Sequence, residues 1–321
     1  MKIIGIDIGG ANTKACDSDG NTLIEYSPLW KGDEIYGIFE KIRKKFVPDT
    51  VGVVITGELS DRFASKEEGI LEIARWVKRV FNNPMFMDIY GDFHENVNPP
   101  MNFAAANFVA SAKFLALEYP DAILVDMGST TTDIIPVVGG KIVAGKSDFD
   151  RLKKGELIYF GILRTSLSWV LPEVHLRNSH TIPTSPEYFS IMADAFLSLG
   201  RIDEKEYICE TPDGRGKTRE DCLRRIARVV CSDLDEIGED VAIEIARQAE
   251  QQMENTLVKA LTKMTNQYNL NTVIGMGIGE FLIEKVVETA NLRYISMARR
   301  YGREVSKVFP AFAVAKLIEA L

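Results

Sequence analysis

Short apolar runs alternate with amphipathic stretches along this chain, and the alternation happens twice. Residues 2–6 and 51–56 read as buried strands, and 22–26 as the return strand of a hairpin announced by Asp17-Ser18-Asp19-Gly20-Asn21. Tyr36, Ile38, Phe39, Ile42 and Phe46 then recur at helical spacing until Pro48 stops them. A helix over 70–81 leads to a short strand at 85–89. Residues 102–117, rich in Ala with Phe and free of Gly and Pro, read as a helix buried over most of its circumference. Near Pro120 the pattern restarts, with strands at 123–126, 133–138 and 141–144 and Gly139-Gly140 as a hairpin turn. Residues 149–184 read as irregular, broken by Pro172 and Pro183. Helices resume at 188–199, 219–230 and 241–268, a buried strand follows at 272–274, and an amphipathic helix over 311–321 closes the chain behind Pro310. This order predicts an internal duplication of a mixed α/β unit. Ligands of such sheets bind beyond the carboxyl ends of the strands, so the site is expected in the cleft between the halves.

The candidate chemistry sits at those strand ends. Asp7-Ile8-Gly9-Gly10-Ala11-Asn12-Thr13-Lys14 aligns position by position with Asp126-Met127-Gly128-Ser129-Thr130-Thr131-Thr132-Asp133: an acid first, Gly third, Thr seventh. Each segment follows a buried strand. Backbone N–H groups and small hydroxyls of such turns close around phosphate oxygens, and the leading acid holds Mg²⁺ through water. Asp7 and Asp126 are thus the metal candidates, with Gly9, Gly10, Asn12, Thr13, Gly128, Ser129, Thr130, Thr131 and Thr132 around the phosphates. The alternative, two plain hairpin turns in which Gly supplies positive φ, accounts for the glycines but not for the hydroxyl cluster at 129–132. A third Gly-rich strand exit, Gly275-x-Gly277-x-Gly279, suits either a nucleotide or substrate loop or close packing of strand on helix. Glu58 and Asp61 follow another buried strand, as a base or a substrate-orienting pair, or with Ser60 or Asp61 as a helix cap. Lys14 and Arg164 are candidates for charge neutralisation; Arg164 lies near Tyr159 and Gly161, where its fork suits a phosphate or carboxylate.

Composition narrows the partners. Of 321 residues, 46% are hydrophobic and 26% charged, the proportions of a globular chain large enough for two domains. A net charge of −8 argues against nucleic acid but not against a small phosphorylated ligand gripped by amide dipoles, Lys14 or Arg164 and a cation. No run of about 18 apolar residues appears and the first residues enter a strand directly, so a cytoplasmic location without membrane partners is expected. Cys16, Cys209, Cys222 and Cys231 lack the spacing of a zinc site and the density of a disulfide framework, and His94, His175 and His180 form no metal or triad pattern. The oligomeric state stays open, a homo-oligomer included.

The two acid-glycine segments together with Val273-Ile274-Gly275-Met276-Gly277-Ile278-Gly279-Glu280 resemble the actin, sugar kinase and Hsp70 type of ATPase fold. That resemblance implies an α/β, two-domain actin-like (ribonuclease H-like) fold of mixed sheets flanked by helices, with a ligand cleft between the domains. It places the first domain at 1–119, completed by a C-terminal helix at 305–321, and the second at 120–304 with a helical insertion at about 185–240. The stretches 56–63, 104–112 and 192–200, with Tyr159-x-Gly161 and Arg164-Thr165, are similar to the hydantoinase A/oxoprolinase-like archaeal proteins of one-carbon metabolism, and within them to the methanofuran biosynthesis synthases. Membership there implies a transferase that joins the phenol oxygen of γ-glutamyltyramine to an aminomethylfuran-methyl diphosphate and releases diphosphate. On that reading Asp7 and Asp126 hold Mg²⁺, the loops hold the diphosphate, and Asp133 or Glu58 serves as the base. The chain has no evident water-activating Gln or Glu, which favours a diphosphate ester over ATP as ligand. An ATP-dependent small-molecule kinase or hydantoinase-like enzyme is the rival, and a nucleotide-responsive binding protein a third possibility.

Overall fold

The computed structural model describes residues 2–32, 34–176 and 180–321. Strands β1 (Ile3–Gly9), β2 (Asn12–Asp17) and β3 (Thr22–Tyr26) form an antiparallel meander. On its other side β1 runs parallel to β4 (Thr50–Thr56), which is followed by parallel β5 (Met85–Met87) and an edge strand, β6 (Phe93–His94). The second sheet repeats the plan. In it β7 (Ala122–Met127) pairs antiparallel with β8 (Thr132–Val138), and β8 carries the short β9 (Lys141–Ile142) and β10 (Leu157–Ile158). A separate ribbon, β11 (Glu173–His175) with β12 (Thr181–Pro183), stands apart. On the far side of β7 lie parallel β13 (Thr272–Met276) and β14 (Arg293–Ser296). The duplication expected from the hydrophobic pattern is therefore a repeat of topology: a hairpin on one side of a central strand, parallel strands on the other.

The central strands are apolar on both faces because both faces are covered. Ile4, Ile6 and Ile8 of β1 pack with Ile38, Phe39 and Val77 of the helices Ile35–Phe46 and Lys66–Val80. The other face of β1 meets the C-terminal helix Phe309–Glu319 so closely that a Cβ on Gly5 would lie 1.9 Å from the carbonyl oxygen of Ala311. A second apolar cluster joins this helix to Asn107–Ala116 and to β7, β8 and β13, so one core runs between the sheets. The third cluster lies under the helices of the second half, including the long Leu234–Tyr268, which is broken at Gly238 with φ 77°. Among the described residues no helix is long and apolar enough to cross a membrane. Cys16, Cys209, Cys222 and Cys231 are free thiols, and the first three are buried.

The local pattern misplaces several boundaries. The buried Ala-rich helix begins at Asn107 rather than 102, because residues 100–103 form a 3₁₀ turn and Ala105 takes the left-handed φ of 50°. The stretch expected to be irregular holds the helix Asp148–Lys154, whose Ser147 cap accepts from the N–H of Asp150, and then β10. After the last Gly-rich exit the chain forms a helix, Glu280–Thr289, before β14.

Candidate active site

The carboxyl ends of β1, β4 and β7 open into one cavity of about 340 Å³, lined by both acid-glycine loops. The hairpin register decides which side chains face it. In the first hairpin Asp7 lies opposite Lys14, and in the second Asp126 lies opposite Asp133. The duplicated position thus carries a cation in one half and an anion in the other. Asp133 receives its countercharge from Arg151, a 2% exposed guanidinium that also pairs with Asp148 at 2.6 Å and stacks 4.0 Å over Phe108.

Strand alternation also corrects two expectations. Side chains at successive strand positions point to opposite faces, so Asn12 and Lys14 line the cavity while Thr13 turns away and bonds Ser27 Oγ at 2.8 Å. In the second hairpin Thr131 and Asp133 line it, while Thr132 is fully buried and donates to the carbonyl of Phe160 at 2.9 Å. Neither the Thr13 nor the Thr132 hydroxyl faces the cavity.

The loops meet directly. Asn12 Nδ2 donates to Ser129 Oγ at 2.9 Å, leaving the buried Asn12 Oδ1 without a partner. The second loop is shaped from beneath by the segment that carries Arg164: the N–H groups of Ile162, Leu163 and Arg164 bond the carbonyls of Gly128 and Ser129 at 2.9–3.1 Å. Gly161 permits this approach, since a Cβ there would lie 2.5 Å from the Thr130 nitrogen. The Arg164 guanidinium stacks 4.8 Å from the Trp30 ring of the first half and reaches Thr130 Oγ1 at 3.3 Å. Gly57 performs the same service for the first loop, with Gly10 N 3.1 Å from where its Cβ would lie.

Electrostatics set the acids apart. Burial raises the Asp7 carboxyl above the usual range, partly offset by Lys14 and by the Thr56 hydroxyl, which donates to it at 2.8 Å. Burial also pushes Asp126 up to about 7, against the pull of Lys14, and Asp133 and Asp7 add repulsion. The Asp126 carboxylate accepts no hydrogen bond among the described residues. Asp133 is likewise raised by burial and drawn back by Arg151. Glu58 is 2% exposed, is pushed up to about 7 by burial, and leaves Oε2 without a partner. Asp61 lies beside it on the cavity wall, exposed, and the following helix is capped instead by Ser65, which accepts from the N–H of Glu68.

The third Gly-rich exit stands behind this wall rather than on it. Gly277, at φ 95°, lies so near β7 that a Cβ would meet the Met127 carbonyl at 2.4 Å and Asp126 Oδ1 at 2.6 Å. Gly275 is packed under Tyr294 and Gly279 under the Met127 side chain. These glycines pack closely around Asp126 and do not line this cavity, while Ile278 between them faces a second one. Trp30, Thr56, Asp148 and Arg151 are wall residues that sequence reasoning missed; the Ser147-Asp148 cap ahead of Arg151 was the one legible signal.

Among the described residues no three His, Cys, Asp or Glu side chains form a ready metal cluster. The Asp7 and Asp126 carboxylates, on a wall of amides and hydroxyls, still fit Mg²⁺, which keeps several waters and takes one or two protein carboxylates together with phosphate oxygens.

A duplicated sheet with two acid-bearing hairpins meeting over a cleft is the two-domain actin-like ATPase architecture. The chain belongs to the hydantoinase/oxoprolinase family, whose model matches residues 49–320. It is 39% identical to the (4-{4-[2-(gamma-L-glutamylamino)ethyl]phenoxymethyl}furan-2-yl)methanamine synthase of Methanocaldococcus jannaschii, over 99% of this chain and 98% of that one. It is 38% identical to the synthase of the same name from Methanococcus vannielii, over 62% of this chain and 91% of that one. Among solved structures it is similar to nucleotide-free acetone carboxylase, with a TM-score of 0.51 and 11% identity over 95% of this chain and 51% of that one, a likeness of fold.

Proposed function

We propose that this chain is a synthase of the methanofuran pathway, forming the aryl ether between the phenol oxygen of γ-glutamyltyramine and the methyl carbon of an aminomethylfuran-methyl diphosphate. The observation that carries this reading is Asp7 and Asp126 at the mouths of two phosphate-type loops on one cavity wall, with Lys14 between the halves. A relative 39% identical over 99% of this chain is named for that ether product, which supports the same reading.

The carbon–oxygen bond to diphosphate breaks with its electron pair leaving on the diphosphate, and the phenol oxygen forms the new bond to the same carbon. Asp7 and Asp126 would hold Mg²⁺, which would supply charge neutralisation to the leaving group. The Gly9-Gly10 and Gly128–Thr131 backbone, with Lys14 and Arg164, places donors where negative charge accumulates. Glu58 is the better candidate for the phenol proton, since Asp133 is committed to Arg151 whereas Glu58 Oε2 is unpartnered and its carboxyl sits near neutral pH. Trp30 and Tyr159 offer aromatic faces on the same wall for the furan.

The test is to incubate the protein with Mg²⁺, γ-glutamyltyramine and the furan-methyl diphosphate, and to follow ether and diphosphate. Stoichiometric release of both supports the reading. ADP formed from ATP in the presence of a small acceptor, without ether, assigns the cleft to an ATP-dependent reaction instead.

A further inference from the structure

A second cavity, of about 480 Å³, adjoins the first and shares Asn12, Lys14 and Ser129 with it. Its apolar wall is made by Leu23 and Ile24 of β3 with Ile208 and Ile278. Its charged lining is nearly balanced: Lys14, Lys205, Arg303 and Lys307 against Asp203, Glu206 and Glu304. Several of these neutralise one another, with Glu206 taking Arg303 at 2.8 Å and Lys307 at 2.9 Å. Lys205 has no hydrogen bond or ion pair among the described residues, and the exposed Asp203 carboxylate accepts only the N–H of Glu206, at 2.9 Å.

We propose that this cavity holds the amino-acid end of the acceptor, a zwitterion with one ammonium and one carboxylate on an uncharged amide chain. The inference rests on the reaction proposed above. Lys205 meets the carboxylate, Asp203 the ammonium, and the apolar wall the ethylphenyl stem. A lining of both signs suits a ligand that carries both signs and no net charge. The shared wall supplies the route: a phenol whose tail lies in the second cavity enters the first at Lys14, opposite Asp7. The lysine ammonium then stands where the phenol oxygen gains negative charge. Glu206 is a positioning residue that keeps Arg303 and Lys307 against the wall.

The experiment compares γ-glutamyltyramine with tyramine, which lacks the zwitterion, by calorimetric binding and by KM, in the wild type, Lys205→Ala and Asp203→Asn. Both residues are exposed, so both variants are expected to fold. Each variant should weaken γ-glutamyltyramine binding about fivefold to tenfold, as loss of a charge-assisted hydrogen bond does, while leaving kcat and the KM for tyramine unchanged. Equal effects on both acceptors, or no effect on either, overturn the assignment. So does weakened ATP binding in Lys205→Ala with γ-glutamyltyramine binding intact. Failure of the wild type to form ether overturns the proposed reaction but leaves Lys205-dependent binding as support for the site; ether formation with Lys205-independent binding overturns only the site.

Discussion

Asn12 and Ser129, 117 residues apart, are joined by a 2.9 Å hydrogen bond that ties the turn of one hairpin to the turn of its duplicate. Around this contact the two loops present their amides and acids to the same volume, with the first cavity on one side and the second on the other. If the pair acts as a unit, its deletions are not additive. Asn12→Ala and Ser129→Ala are each expected to lower kcat/KM for ether formation by about fivefold, near 1 kcal/mol. The double variant should fall no further than the worse single one, and a product of the two effects in steady-state kinetics would show that the residues act separately.

Replacing Asp126 by Asn keeps the shape of the site and removes the charge assigned to the metal. The rate should drop at least about tenfold, roughly 1.4 kcal/mol of transition-state stabilisation. The rise in melting temperature that Mg²⁺ with diphosphate produces should shrink in the same variant. Kinetics and magnesium response equal to wild type would remove Asp126 from that role.

The pH dependence follows from Glu58 and Asp126, both pushed up to about 7 by burial. Below that pH Glu58 is protonated and accepts no proton, so kcat/KM should climb with pH through about 7 and then level. Glu58→Gln should lower the plateau by about a hundredfold, the scale of general base catalysis, and flatten the part of the rise that Asp126 does not govern. For stability the sign is opposite. A raised carboxyl binds more protons in the folded than in the unfolded chain, so its contribution is present at low pH and is lost as pH rises from the ordinary carboxylate range through about 7. The ligand-free protein should therefore melt lower at pH 8 than at pH 5.5 as far as these groups decide it. Mg²⁺, competing with the Asp126 proton, should stabilise more at pH 8 than at pH 6.

Thr13 and Thr132 are expected to behave as structural residues. Thr13→Val strands Ser27 Oγ, and Thr132→Val strands the carbonyl of Phe160, each costing about 1–2 kcal/mol of unfolding free energy. The KM for the diphosphate substrate should stay within about twofold of wild type. A large rise in that KM with unchanged denaturant stability would put these hydroxyls back on the phosphates.

Much of the architecture was legible because its signals are local. Residues 22–26 are β3 as the alternation indicated, Gly139 and Gly140 take positive φ of 55° and 74° at the expected hairpin turn, and both acid-glycine segments end buried strands. The boundary at Asn107 was not legible, because a left-handed Ala105 is a response to packing that Ala itself does not announce.

Read alone, the chain of residues determined that there are two related strand-turn units and that each offers an acid, glycine and hydroxyls. Strand period and turn chemistry act over a few bonds, so these features are written locally. Only the tertiary structure decided which hydroxyls face the cleft, that Arg151 claims Asp133 while Glu58 Oε2 stays unpartnered, and that Asn12 reaches Ser129. Those pairings join residues far apart in the chain. Their geometry is set by how the two sheets and the C-terminal helix pack through a shared apolar core, and apolar burial has no direction that a sequence pattern can record.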